Sequence, residues 1–144
     1  MAFRGTFDHS LDAKNRLTVP SRHRAALADG VILAQGLSPC ATIWTPSAFE
    51  AYTASALEGW PALSPEAEKL NRFFSAYSLD TELDAAGRVM FPPWLMQYAG
   101  LGKEVVISGM GNRLEVWDRT TWTQQNESLP SDVREITSKL SHAR

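Results

Sequence analysis

A ten-residue segment occurs twice in this chain, 72 residues apart, and this repeat limits the possible folds more than any other feature. Residues 11–20 read LDAKNRLTVP and residues 83–92 read LDAAGRVMFP, with identical residues at five of the ten positions. A short helical stretch, a glycine, a β-branched run, a second strand ending in tryptophan and a helix start follow each segment in the same order. The chain is therefore predicted to contain two copies of one unit.

Each unit is predicted to contain a strand, a turn, a strand, a short helix, two further strands and a helix. The short helices are expected at residues 21–28 and 93–99. The helices that follow the two tryptophans are expected to begin at Thr45 and Asp118, because these residue types are favourable N-caps.

The repeated segment predicts the same tight turn in both units. An aspartate stands at the first position of a type I turn, where its carboxylate accepts backbone N–H groups. The fourth position favours the left-handed region, which suits glycine and is tolerated by asparagine. The arginine that opens the next strand is expected either to pair with the aspartate or to point outward. The turn residues are Asp12, Asn15 and Arg16 in the first unit and Asp84, Gly87 and Arg88 in the second.

Two such units are expected to share one core. A unit of about 70 residues buries only about 60% of its surface and leaves strand edges open, so the repeats should pair into a pseudo-dimer. We assign residues 7–48 to the first repeat, 49–78 to connecting helices, 79–122 to the second repeat and 123–144 to a C-terminal helical tail.

Apolar residues at helical spacing predict helices outside the repeated turns. One begins at Ser64, and another follows the capping candidates Ser131 and Asp132. Their apolar stripes are expected to face the core, with subunit contacts as the alternative. The two stripes are Ala67, Leu70, Phe74 and Tyr77, and Val133, Ile136 and Leu140.

The charge distribution is uneven along the sequence. Residues 1–24 contain five basic and two acidic side chains, whereas the remaining 120 residues contain nine basic and 14 acidic ones. An anionic partner is therefore attracted by the first segment and repelled elsewhere. No apolar run exceeds four residues, and Cys40 is the single cysteine. We accordingly expect an intracellular protein without a membrane span or internal disulfide.

Patterns for catalysis and metal binding are sparse. Asp8, His9 and Asp12 are close in sequence, but they straddle a turn and face opposite ways, so no metal site is expected. The segment Gly109-Met110-Gly111 lacks the third glycine of a dinucleotide loop and is predicted to be a hairpin. No cofactor is predicted, and an enzyme is the less favoured hypothesis.

The duplicated turn, with FRGTFDHSLDAKNRLTVPSRHR around the first copy and LEVWDRTTW after the second, resembles the MraZ family of bacterial transcriptional regulators. The resemblance implies an α+β fold, mainly β with peripheral α-helices, in which two AbrB-type swapped-hairpin units form one β-barrel-like pseudo-dimer. It also implies a cytoplasmic, nucleoid-associated protein that forms ring-like homo-oligomers and binds double-stranded DNA. The DNA would be direct repeats upstream of its own gene, in the operon for division and cell-wall synthesis.

DNA binding in this family rests chiefly on the first motif, which the resemblance assigns to Arg16 and next to Lys14. Basic side chains near this motif are added as further DNA contacts, namely Arg22, Arg24 and Arg4. In the second motif Ala86 replaces the lysine and acidic residues surround Arg88. We therefore expect Arg88 to pair within its own loop, together with structural roles for Asp12, Asn15, Asp84 and Gly87.

Two other classes of protein remain as alternatives. One is a structural or interaction module, in which the Asp–Arg pairs only hold the turns. The other is an enzyme with an unrecognised site. Arg16 separates the first alternative from a DNA-binding regulator, because an arginine that reads DNA is dispensable for folding.

Overall fold

The computed structural model describes residues 2–142, and within them both halves of the chain have the same order of elements. The strands are β1 (Thr6–Ser10), β2 (Arg16–Thr18), β3 (Val31–Gln35), β4 (Ala41–Trp44), β5 (Ser78–Thr81), β6 (Arg88–Met90), β7 (Glu104–Gly109) and β8 (Leu114–Asp118). The helices are α1 (Ser21–Arg24), α2 (Pro46–Leu57), α3 (Pro65–Ala76), α4 (Pro93–Ala99), α5 (Arg119–Asn126) and α6 (Leu129–His142), and a 3-10 turn (Ala25–Leu27) follows α1. The order predicted for each unit is present, and one more helix ends each half.

The strands pair across the two repeats. The six-stranded antiparallel sheet has the order β1-β7-β8-β4-β3-β5, so the first strand of each repeat lies beside a strand of the other. The centre of the sheet joins β4 to β8, again across the repeats. This arrangement confirms the prediction of an α+β protein with two repeated units. The expectation that the chain is mainly β is wrong, because the described helices contain more residues than the strands.

A two-stranded antiparallel ribbon of β2 and β6 carries the two turns. Leu17 is opposite Val89, and Arg16 is opposite Met90. At one end the N–H of Phe91 donates to the Asn15 carbonyl at 2.9 Å, and at the other the Val19 N–H donates to the Gly87 carbonyl at 3.0 Å. Because the strands are antiparallel, the turns lie at opposite ends of the ribbon, about 13 Å apart at strand rise.

The main core lies between this ribbon and the sheet. Leu17 and Val89 point inward from the ribbon, and Leu33, Ile43 and Ile107 meet them from the sheet, all essentially inaccessible to solvent. Alternation along a strand sends every second side chain to one face, so the residues on either side of Leu17 point away from the core. The core thereby fixes which ribbon side chains are available to a partner.

Helices α2 and α3 begin after the N-cap residues that the sequence predicts. Thr45 and Ser64 each accept a hydrogen bond from the backbone N–H three residues on, at 3.2 and 3.1 Å, and a proline follows each of them. Asp118 occupies the N-cap position of α5 as predicted, but its side chain makes no capping bond. Its carboxylate instead accepts the N–H of Gly102 at 3.0 Å, which anchors the loop before β7.

The last helix of the first half, α3, and the last helix of the second half, α6, differ in packing. In α3, Ala67 and Phe74 are buried and Leu70 is half-buried, in agreement with the prediction for this stripe. Tyr77, the fourth predicted member, follows the end of the helix and is 45% exposed, so the prediction is wrong for that residue. In α6, the side chains of Val133, Ile136 and Leu140 are 48%, 62% and 62% exposed. The expectation that this second stripe faces the core is therefore wrong. Helix α6 also begins at Leu129, before the capping residues that the sequence predicted.

Candidate nucleic-acid interface

The first turn is held by both carboxylate oxygens of Asp12. Its Oδ1 accepts hydrogen bonds from the backbone N–H groups of Lys14 and Arg16, both at 2.9 Å. Its Oδ2 accepts a hydrogen bond from Arg16 Nε at 2.6 Å. The Asn15 N–H donates to the Asp12 carbonyl at 3.0 Å, which closes the turn. One carboxylate thus fixes the turn backbone and the arginine side chain together.

The second turn repeats this geometry. The Asp84 Oδ1 accepts the N–H groups of Ala86 and Arg88, both at 2.9 Å, and its Oδ2 accepts Arg88 Nε at 2.9 Å. The Gly87 N–H donates to the Asp84 carbonyl at 2.9 Å. Arg16 and Arg88 therefore make the same ion pair, and the expected division into a DNA-contacting and a loop-pairing arginine is not visible in their contacts.

These hydrogen bonds favour the ionised form of each aspartate. The backbone N–H of Arg16 is the largest cause that holds the pKa of Asp12 below its ordinary value, and its guanidinium adds to the effect. The Arg88 N–H and guanidinium lower the pKa of Asp84 in the same way. A carboxylate that accepts two backbone N–H groups and an arginine stays charged at neutral pH.

The fourth residue of each turn adopts a left-handed backbone conformation. Asn15 has φ of 59° and is the single non-glycine residue with positive φ among those described, while Gly87 has φ of 76°. Asparagine tolerates this region, so the departure from glycine in the first motif leaves the turn intact. Gly87 has a second reason to be glycine, because a Cβ there would lie 2.5 Å from Arg24 Nε.

Arg24 therefore belongs to the second turn rather than the first. It follows the first motif in sequence, but its side chain lies over Gly87, and its Nε donates to the Val19 carbonyl at 2.9 Å. The antiparallel ribbon explains this placement, since the residues that follow β2 lie beside the turn that precedes β6. Arg24 supplies a cation where Ala86 has replaced the lysine of the first motif.

The remaining predicted cations are distributed unevenly. Lys14 is exposed at the tip of the first turn, and Arg22 is exposed on α1. Arg4 is exposed beside the β7–β8 hairpin, where its carbonyl lies 3.2 Å from Nε2 of the buried His23. No hydrogen bond or ion pair among residues 2–142 joins Arg4 to either turn.

One cation near the first turn was missed by sequence reasoning. The Leu11 N–H donates to the Lys103 carbonyl at 2.8 Å, and Lys103 lines the same cleft as Asp12 and Asn15. The pairing of β1 with β7 brings this residue there from the second repeat. Only a prediction that β1 pairs with β7 could have found Lys103, because this antiparallel pairing places the residues before β7 beside the residues after β1.

The arginines retain groups that can bind a ligand. In each of the two guanidinium groups, of Arg16 and of Arg88, Nε is the only nitrogen that has a hydrogen-bond partner among the described residues. Their terminal amino groups are therefore available to a phosphate or a guanine edge, both of which arginine binds through two parallel hydrogen bonds. The pair with aspartate orients each guanidinium before a ligand arrives.

Other kinds of site are not apparent among the described residues. No group of three or more metal-ligating side chains lies together in residues 2–142. No helix in that range is long and apolar enough to cross a membrane. The thiol of Cys40 is buried, and burial raises its pKa, so it remains protonated and unreactive.

Two strand-exchanging repeats, each with an Asp–Arg turn on a shared ribbon, define a tandem-repeat α+β protein. A comparison with protein families identifies the particular family. The family described as MraZ protein matches residues 2–72 and 74–140, and the chain belongs to it. This is a family of transcriptional regulators, and the chain is not an enzyme.

Relatives of known name cover nearly the whole chain. The transcriptional regulator MraZ of Symbiobacterium thermophilum is 36% identical over 136 residues, which span 94% of this chain and 98% of that protein. The same regulator of Clostridium acetobutylicum is 34% identical over 139 residues, with 96% of each protein covered. That of Heliobacterium modesticaldum is 32% identical over 138 residues, again with 96% of each covered.

Proposed function

We propose that this chain is a sequence-specific DNA-binding regulator that acts on repeated boxes upstream of its own division and cell-wall operon. The observation that carries the proposal is the ribbon β2–β6, which has an oriented arginine and a further cation at each end. Lys14 accompanies Arg16 at the first turn, and Arg24 accompanies Arg88 at the second. A two-stranded ribbon fits the major groove of B-DNA, which is about 12 Å wide.

The two turns have different roles in this proposal. Lys14, Arg16 and the neighbouring Lys103 make the first turn the more basic one, and it contacts bases and phosphates. At the second turn Arg24 holds the backbone of the ribbon and contacts phosphate at most. Arg22 and Arg4 add phosphate contacts outside the ribbon.

The proposed architecture is a pair of AbrB-type swapped-hairpin units, with residues 7–48 and 79–122 as the repeats, that forms a β-barrel-like pseudo-dimer. The pairings of β1 with β7, β5 with β3 and β2 with β6 support it, because each links one repeat to the other. In this architecture the ribbon has a fixed position on the sheet, with one turn at each of its ends.

Self-assembly supplies the affinity that one subunit lacks. The whole chain has a net charge of −2, which is unfavourable for binding to a polyanion. A ring-like homo-oligomer presents several first turns to consecutive boxes, and linked contacts raise affinity without any new chemistry. We infer a cytoplasmic, nucleoid-associated protein on this basis.

The contacts of Arg16 also favour a second candidate, an assembly module without DNA binding. In that case the ion pair of Arg16 with Asp12 only stabilises the turn, and the terminal amino groups of Arg16 stay bound to water. The two candidates differ in what Lys14 does, because it lies at the tip of the turn and its exposed side chain makes no hydrogen bond or ion pair among the described residues.

The test is a titration of the chain with the DNA upstream of its own gene, against a scrambled duplex of equal length and composition. The regulator predicts tighter binding to the upstream DNA, with a loss on replacing Lys14 by alanine. Equal, weak binding to both duplexes would support the assembly module and reject sequence-specific regulation.

A further inference from the structure

Helix α6 carries an apolar stripe that no described residue of its own chain covers. Every residue from 129 to 140 is exposed, including Val133, Ile136 and Leu140 on one face. Its first residue, Leu129, lies near Trp122, but a helix of 14 residues with so few tertiary contacts is marginally stable in water. Helix α6 therefore needs a partner surface to be fully formed.

The first repeat shows what kind of surface such a helix covers. Helix α3 ends the first family match as α6 ends the second, and both place apolar residues at i, i+3 and i+7. Phe74 of α3 packs edge-on against Tyr52 of α2 at a ring distance of 5.8 Å, and Trp44 and Phe49 complete the cluster.

The second repeat has the corresponding aromatic pair but no helix over it. Trp117 and Trp122 meet edge-on at 5.8 Å, as Trp44 and Phe49 do at 5.5 Å in the first repeat. Beside this pair lies an open groove of about 360 Å³, to which Gln125 and Leu129 contribute. The groove thus occupies the place that α3 fills in the first repeat.

The short connection between α5 and α6 holds α6 away from this groove in its own chain. Residues 58–64 link α2 to α3 and let α3 turn back against α2. Only Glu127 and Ser128 link α5 to α6, and Glu127 itself has a helical backbone conformation. Too short a hinge favours exchange of the element with another copy, because the same contacts form between chains at low cost.

We propose that α6 of one copy occupies the groove beside Trp117 and Trp122 of a second copy. This inference rests on the proposed self-assembly and names the surface responsible for it. Each copy donates one helix and receives one.

Area and charge both favour a second copy as the occupant. A helix of this length presents a face of about 400 Å², so a copy that donates one helix and receives another buries about 800 Å² of its own surface in total, divided in a ring between its two neighbours. Residues 129–140 carry two acidic and two basic side chains, with Lys139 and Glu135 already paired at 3.5 Å. A neutral helix of this kind does not fit a polyanion.

The first experiment compares the mass of full-length variants by light scattering at several concentrations. Replacing Ile136 by glutamate should reduce the wild-type assembly to smaller species. Replacing Leu63, a fully exposed apolar residue in the α2–α3 connection, by glutamate is the matched control and should leave the mass unchanged. An Ile136→Glu protein with wild-type mass would overturn the proposal.

A second variant tests the hinge without changing either surface. Inserting five Gly/Ser residues between Glu127 and Ser128 restores the length of the α2–α3 connection and allows α6 to fold back onto its own groove. The expected product is a folded monomer at concentrations where the wild type is assembled. An insertion variant of unchanged mass would contradict helix exchange.

Cross-linking identifies the contact directly. With Gln125→Cys and Ile136→Cys in one chain, oxidation should link separate copies, whereas either single substitution should give only a minor dimer, since Cys40 is buried. If the wild type assembles but the double-cysteine variant gives no such cross-link, helix exchange is contradicted and the proposed self-assembly is not. A wild type that is monomeric at micromolar concentration would defeat it together with the proposed self-assembly.

Discussion

At the scale of single residues, the two turns are alike in geometry and different in charge. Asp12 and Asp84 bind their arginines and backbones in the same way, but Lys14 in the first turn has Ala86 as its counterpart. Replacing Arg16 or Arg88 by alanine should therefore lower the melting temperature by similar, small amounts, as exposed ion pairs do.

The same two variants should differ in DNA binding. A lost base contact costs about 1–3 kcal/mol, so Arg16→Ala should weaken binding to the upstream DNA by tenfold or more. Arg88→Ala should weaken it much less, because its turn lacks the lysine. Titration of both proteins with that DNA checks the difference, and a larger loss for Arg88→Ala would reverse the assigned roles.

Gly87 combines two constraints at one position, its left-handed backbone and its contact with Arg24. Placing an L residue in this region costs about 1–2 kcal/mol, so Gly87→Ala should lower the free energy of unfolding by at least that amount. Asn15→Gly is the control and should be neutral or stabilising. Denaturant unfolding measures both, and an unchanged stability of Gly87→Ala would contradict the left-handed backbone at this position.

The lowered pKa values of the turn aspartates predict loss of stability in acid. A carboxyl whose pKa is depressed on folding stabilises the protein above its ordinary pKa of about 3.8 and loses that contribution as the pH falls through the folded value. The variant Asp12→Asn with Asp84→Asn should show a flatter melting temperature below pH 4 than the wild type. Parallel curves for the two proteins would show that other carboxylates dominate.

At the scale of elements, the ribbon depends on two buried side chains. Leu17 is inaccessible to solvent, and Leu17→Ala should destabilise the protein by about 2–5 kcal/mol. Met90 lies on the outer face of the same ribbon and is 59% exposed, so Met90→Ala should leave stability nearly unchanged. Thermal melts compare the two, and equal losses would mean that the ribbon does not pack on the sheet as described.

The sequence predicts the elements more completely than their contacts. Strand and helix order follows from the repeat, since local patterns determine local structure. The periodicity of Val133, Ile136 and Leu140 predicts a helix with an apolar face, but it does not state which surface that face meets. Arg24 shows the same limit, because its neighbour Gly87 is reached only through strand exchange between the repeats.

At the scale of the whole molecule, the proposed function requires an acidic chain to present cations on one surface and to repeat that surface. In this proposal the ribbon presents them within a subunit, and exchange of α6 repeats them between subunits. A variant that loses assembly through Ile136→Glu should therefore keep its turns intact and bind a single box weakly. It should lose most of its preference for DNA with several boxes, because linked binding is gone.

The salt dependence of binding to the upstream DNA tests the central claim, that the first turn contacts DNA, most directly. Each phosphate that a cation neutralises adds about 0.9 to the slope of log K against log salt. The account predicts a steep negative slope for the wild type. A variant with Lys14→Gln and Arg16→Gln should show a slope reduced by about two for each bound subunit. An unchanged slope and affinity in that variant would show that the turn does not touch DNA.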